Sequence, residues 1–161
     1  MFGSNGNPVR QIERPTPDEA DALVTRHRLD SASRVDAGPV VLRAQENGVV
    51  TLTMNRPRQF NAISMRMLEA MQSELDAIKA DPAVRVVVIA GAGSAFSGGH
   101  DLKEMMAHRT EAFIGDLFER CSRVMLAMQA LPQPVIARVH GIATAAGCQL
   151  VAACDLAVAS T

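Results

Sequence analysis

Tryptophan and tyrosine are absent from this 161-residue chain, and only five phenylalanines are present. The platform on which single-strand binders stack bases is therefore missing, and so is any phenolic acid or base. Charge of one sign is lacking too: 16 Lys and Arg stand against 17 Asp and Glu, a formal net charge of -1. No bulk field draws such a chain to nucleic acid or anionic lipid, so an anionic ligand has to be caught locally. The three cysteines, Cys121, Cys148 and Cys154, form neither CxxC nor a Cys/His cluster of zinc spacing. Disulfides and structural metal are not expected, and a reducing cytoplasm is the default setting. Long hydrophobic runs are missing as well. The nearest to one, Val139 to Val158, is broken by Gly141, Gly147, Gln149 and Asp155, so no membrane span is expected. No apolar run precedes Val40, and acids recur from Glu13 to Asp36, so neither a signal nor a transit peptide is expected.

What is present is the composition of a packed domain, 48% hydrophobic and 20% charged. The length predicts about one domain, against a prior of ~100–200 residues each. Residues 1–39 combine Pro8, Pro15, Pro17, Gly3, Gly6 and Gly38 with mixed charges, and read as a flexible arm with at most a short polar helix from Pro17 to His27. From Val40 the pattern changes. Val40 to Arg43 and Val49 to Met54 are β-branched runs around Glu46-Asn47-Gly48, which predicts a hairpin. Ser64 is a candidate N-cap for an amphipathic helix carrying Leu68, Met71, Leu75 and Ile78, ended by Asp81-Pro82.

Val84 to Ala90 reads as a strand buried on both faces, followed by the loop Gly91 to Gly99 and an acid-started helical stretch from Asp101. A longer helix from Glu111 to Ala130 is expected to bury Phe113, Leu117, Phe118, Val124, Met125 and Met128. Val135 to Val139 is the next buried strand, and Gly141 to Gly147 leads into a small helix from Cys148 to Cys154. Asp155 to Ala159 starts a further strand with no polar cap after it, so the chain reads as cut in mid-fold, with apolar surface near Ala152 to Val158 to be covered.

Two segments thus share one grammar: buried strand, loop of small residues, helix start. Such loops expose backbone N–H groups that can hold an anion or a developing oxyanion, or they simply allow close packing of strand on helix. Neither fits G-x-x-x-x-G-K-[ST], which disfavours a nucleotide P-loop.

At these positions the chain resembles the crotonase superfamily, the enoyl-CoA hydratase/isomerase family. The resemblance is carried by Asn55-Arg56-Pro57 with Asn61-Ala62, by Ala95 to Leu102, and by Pro134 to Ala137 through Gly141, Gly147-Cys148 and Cys154-Asp155. It implies an α/β fold, a spiral of ββα units truncated before a C-terminal helical part, with residues 40–161 the N-terminal portion of an acyl-CoA-binding domain. It implies lyase or isomerase chemistry of fatty acid metabolism on a coenzyme A thioester as substrate, no cofactor, and a homo-oligomer, a trimer or dimer of trimers.

Carried over by position, the N–H groups of His100 and Ala146 would form the oxyanion hole. His100 stands where the family usually has a small residue, and Ala146 where it usually has the middle glycine of a GGG run. The resemblance places Ser97, Gly98, Gly99, Asp101, Leu102 and Gly147 around the substrate. Arg58 matches a position near the CoA nucleotide, where it either meets phosphates or is a solvated loop residue. Phe60, Met105 and Met106 either line the acyl channel or pack in the core.

The pattern breaks at Gln149. There a hydratase has the first of its two glutamates, and an amide cannot exchange a proton usefully near neutral pH. The residue reads as a buried amide satisfying backbone groups. His100 could instead act as a base or metal ligand. His140 replaces a usual asparagine and reads as a hydrogen-bonded loop residue, while Asp101 and Glu104 are most simply helix N-terminal acids. The alternatives are therefore an acyl-CoA enzyme, a thioester-binding paralogue without hydratase activity, or an inactive fragment.

Overall fold

The computed structural model describes Thr16 and residues 38–160. Apart from Thr16, Gly38 and Pro39, the expected arm and its short helix lie outside the described residues. The folded unit opens with the expected hairpin, β1 (Val41–Glu46) antiparallel to β2 (Val49–Met54). Its two-residue turn places Asn47 at φ 51° and Gly48 at φ 78°, the left-handed pair that matches the twist of a tight hairpin. Val50, Leu52 and Met54 alternate into the core.

Helix α1 (Met65–Lys79) starts where Ser64 accepts the Met67 N–H at 3.2 Å, and it buries Met67, Leu68, Met71, Leu75 and Ile78 on one stripe. Strand β3 (Val86–Gly91) then runs parallel to β2. After it come the short β4 (Ala95–Ser97), α2 (Leu102–Ala107) capped by Asp101, and α3 (Glu111–Gln129) capped by Thr110. The next turn repeats the plan with β5 (Val135–Val139), β6 (Ile142–Ala143) and α4 (Ala146–Ala152), and β7 (Leu156–Ala159) begins another. The long strands form one sheet in the order β1-β2-β3-β5-β7, and β4 and β6 pair in a second. The turns that start at β3 and at β5 each lay one strand in each sheet and close with helix, and the first unit, β1-β2-α1, has both strands in the large sheet; together they make the spiral of ββα units.

Three details differ from the sequence pattern. Strands β4 and β6 have three and two residues, too few to show periodicity. Helix α4 starts at Ala146, two residues before the expected Cys148, because the turn is made at Ala145 and Gly147 is already helical. On α3 the buried stripe is Leu117, Cys121, Val124 and Met128, which turns Phe118 outward by one helical step rather than into the core.

For the site, the parallel pairing of β3 with β5 matters most. Parallel neighbours end on the same side, so the loops that follow them leave from one edge. They touch there: a Cβ on Gly141 would overlap the carbonyl of Ser94. At the far edge of the large sheet all four residues of β7 are exposed, Leu156 and Val158 among them, as expected near this segment.

Candidate oxyanion site

The first loop is held along the segment that precedes α1. Asn61, fully buried at φ 52°, donates from Nδ2 to the carbonyls of Ala92 and Ala95, both at 2.8 Å, and accepts the Arg56 N–H on Oδ1 at 2.9 Å. Ser97 is fully buried too; its hydroxyl donates to the Asn61 carbonyl at 3.0 Å and accepts the Gly99 N–H at 3.3 Å. Main-chain bonds continue the seam, from Gly98 N–H to Phe60 O, Ile63 N–H to Gly99 O, and Asp101 N–H to Ile63 O. Every N–H from Gly98 to Asp101 is thereby used except that of His100, which meets no acceptor among the described residues.

The second loop shows the same exception. Thr144 donates from its N–H to Ser97 O at 3.0 Å and from its hydroxyl to Gly98 O at 3.2 Å, fixing this loop on the first. The N–H of Gly147 turns back to Thr144, and those of Cys148 and Gln149 to Ala145. The Ala146 N–H meets no acceptor among the described residues. The two loops are in van der Waals contact at these positions. A Cβ on Gly99, which sits at φ +89°, would lie 3.0 Å from the Ala145 Cβ and 3.4 Å from the Ala146 nitrogen. Two unsatisfied donors on touching loops can polarise one carbonyl oxygen.

The nearby carboxylates both make structural bonds. Asp101 Oδ1 accepts the N–H groups of Lys103 and Glu104, and Oδ2 pairs with Arg56 Nη1 at 2.9 Å. Glu104 Oε2 caps α1 by accepting the Met65 N–H at 3.0 Å. The reading of both as helix N-terminal acids holds for Asp101 and is enlarged for Glu104, which lies on α2 and caps a different helix.

His100 stands half-buried with its ring edge-to-face on Phe118 at 5.2 Å. Burial lowers its pKa below 6.5, opposed by the Ile63 carbonyl, and its buried Nδ1 has no hydrogen-bond partner. Among the described residues no group of three His, Cys, Asp or Glu side chains comes together around it. His140 is a hydrogen-bonded loop residue, its Nε2 donating to Gly93 O at 2.7 Å.

Gln149 is exposed, not the buried amide expected; on α4 it faces out of the helix stripe that buries Ala146 and Leu150. Phe60 and Met106 are not core residues either. They are 60% and 58% exposed, and with Leu102, 70% exposed, they offer apolar surface around the first loop, with the Phe60 Cβ 3.5 Å from the position of a Cβ on Gly98. Met105 does pack on the core. Arg58 is exposed. Gly147 is buried where a Cβ would press on the Ser97 carbonyl and Cβ. One residue had no signal in the sequence: Ala145, at φ 47° and ψ −125°, takes a conformation that belongs to glycine.

A two-sheet ββα spiral with paired backbone donors at one edge defines a class, and the comparisons give the family. The enoyl-CoA hydratase/isomerase family model matches residues 44–161, and the chain belongs to that family. It is 42% identical over 132 residues to a Xenopus laevis protein named enoyl-CoA hydratase domain-containing protein 3, mitochondrial; the match covers 82% of this chain and 45% of that protein. Among solved structures it superposes on an enoyl-CoA hydratase from Mycobacterium smegmatis with TM-score 0.74 and 58% identity, covering 76% of this chain and 48% of the other. The human enoyl-CoA hydratase domain-containing protein 3 gives TM-score 0.72 at 39% identity, with coverages of 74% and 47%. The chain spans about half the length of the relatives it matches.

Proposed function

We propose that the loops at 97–101 and 144–147 bind the thioester of an acyl-CoA, with the N–H groups of His100 and Ala146 on its carbonyl oxygen. The observation that carries this reading is the pair of unsatisfied donors on loops in contact. Hydrogen bonds to an oxygen that gains charge strengthen as the enolate forms, and each preorganised donor contributes about 10²–10³ in rate. Because the main chain donates, the imidazole and the methyl group at these positions do not interrupt the interaction. Phe60, Leu102 and Met106 supply apolar surface for the acyl or pantetheine portion, and exposed Arg58 supplies charge for the phosphates.

The exposed amide of Gln149 favours a second reading within the same family: thioester binding and enolate stabilisation without hydration, because that side chain cannot take a proton from water. Asp101 and Glu104 do not replace the missing base, since their capping bonds hold them elsewhere. Calorimetric titration of the chain with butyryl-CoA tests the site itself. Binding heat and a raised melting temperature are expected; absence of both contradicts the proposal.

A further inference from the structure

Ala145 immediately precedes the second donor, the N–H of Ala146. The plane of the 145–146 peptide, and with it the direction of the Ala146 N–H, is set chiefly by ψ of Ala145. At ψ −125° this plane is rotated by roughly 80° from its orientation at the helical ψ of about −42°. The left-handed turns elsewhere do not compare: Phe60, at φ 51° and ψ 37°, lies in the ordinary left-handed well, whereas Ala145 lies outside it.

An alanine keeps such a conformation only where its surroundings over-determine it. Here they do. Thr144, the preceding residue, is tied to Ser97 and Gly98 of the first loop, and Gly147, Cys148 and Gln149 bond back to Thr144 and Ala145. The Ala145 methyl lies against Gly99, whose missing side chain leaves the room for it.

Resting on the thioester reading above, we propose that Ala145 is a positioning residue whose glycine-like backbone, clamped between Thr144 and Gly99, holds the Ala146 N–H on the substrate carbonyl. The methyl itself adds nothing to that geometry. Glycine at 145 should therefore keep the donor in place and relieve strain, and a β-branched side chain should be unable to enter the conformation at all.

The experiment compares affinity for butyryl-CoA with that for S-butyl-CoA, the thioether that lacks the carbonyl, in wild type, Ala145→Gly and Ala145→Val. The wild type should prefer the thioester on the order of tenfold. Ala145→Gly should keep that preference and melt about 3 °C higher. Ala145→Val should bind the thioether like the wild type and lose most of the preference for the thioester. A valine variant that keeps the preference, or a glycine variant that melts lower than the wild type, overturns the positioning role; the glycine result decides even if the valine variant does not fold. A wild type with no preference sinks the thioester reading itself, and the inference with it.

Discussion

The guanidinium of Arg56 holds the carboxylate of Asp101 at 2.9 Å across 45 residues of chain, with both side chains nearly buried at 14% and 12% exposure. That bond joins the segment after β2 to the start of α2, at the residue next to the first donor. Asp101 also caps α2 with its other oxygen. Asp101→Ala should therefore destabilise by about 2 kcal/mol, because it removes a cap and the carboxylate from a guanidinium that keeps its bond to the Ala62 carbonyl. Asp101→Asn keeps a capping oxygen and should lose about half as much. Urea denaturation of the two variants measures the difference; equal losses would mean that the capping oxygen contributes nothing.

Gly147 and Gly115 are both helical, yet they should respond oppositely to alanine. In α3, nothing lies within 4 Å of a Cβ on Gly115, so Gly115→Ala should stabilise by about 1 kcal/mol through helix propensity alone. On Gly147 the same methyl would meet the Ser97 carbonyl at 2.5 Å and its Cβ at 2.8 Å. Backbone of a buried strand cannot give way as a flexible side chain can. The crowding term, roughly 1–3 kcal/mol, then exceeds the propensity gain, and Gly147→Ala should destabilise. Thermal melting of both variants checks the sign of each.

Much of this was legible in the pattern of apolar residues. The hairpin at Asn47-Gly48, the stripe of α1 and the strands β3 and β5 follow directly from period and turn chemistry. The resemblance pointed to His100 and Ala146, and their N–H groups meet no acceptor among the described residues; their place on a substrate is the proposal made above. What stayed hidden depends on contacts distant in sequence. Asn61 reads as one more loop asparagine until its amide is seen to reach Ala92 and Ala95. Ala145 carries no mark of its φ, since alanine usually signals helix and a glycine stands two residues later. The hydrophobicity of Phe60 and Met106 leaves channel lining and core packing both open, because two-residue and three-residue strands decide which faces the loops leave exposed.

Acid should weaken the fold through His100. Burial holds its folded-state pKa below 6.5, so the unfolded chain binds the proton first as pH falls. Stability is then fully present above about pH 6.5, declines from there toward the lowered folded-state value, and is flat below it. His100→Asn should remove this slope while keeping the main-chain donor. Melting temperatures between pH 5 and 8 for the wild type and His100→Asn make the comparison; identical slopes would exclude His100 as the source.

Hydration of a conjugated thioester should be poor. A positioned acid or base contributes about 10²–10⁴-fold, and Gln149 supplies neither. Loss of the conjugated-thioester absorbance of crotonyl-CoA, followed for the wild type and Gln149→Glu, reads this directly. Wild-type turnover comparable to ordinary hydratases would show that the base lies elsewhere.

The central claim, that two backbone N–H groups converge on a thioester carbonyl, is tested most directly by the carbon-13 resonance of the carbonyl in 1-13C-butyryl-CoA bound to this chain. Two hydrogen bonds to the oxygen withdraw electron density from the carbonyl carbon, so the resonance should move downfield on binding, with a smaller displacement in Ala145→Val. A bound ligand whose carbonyl resonance stays at its free position would contradict the oxyanion site.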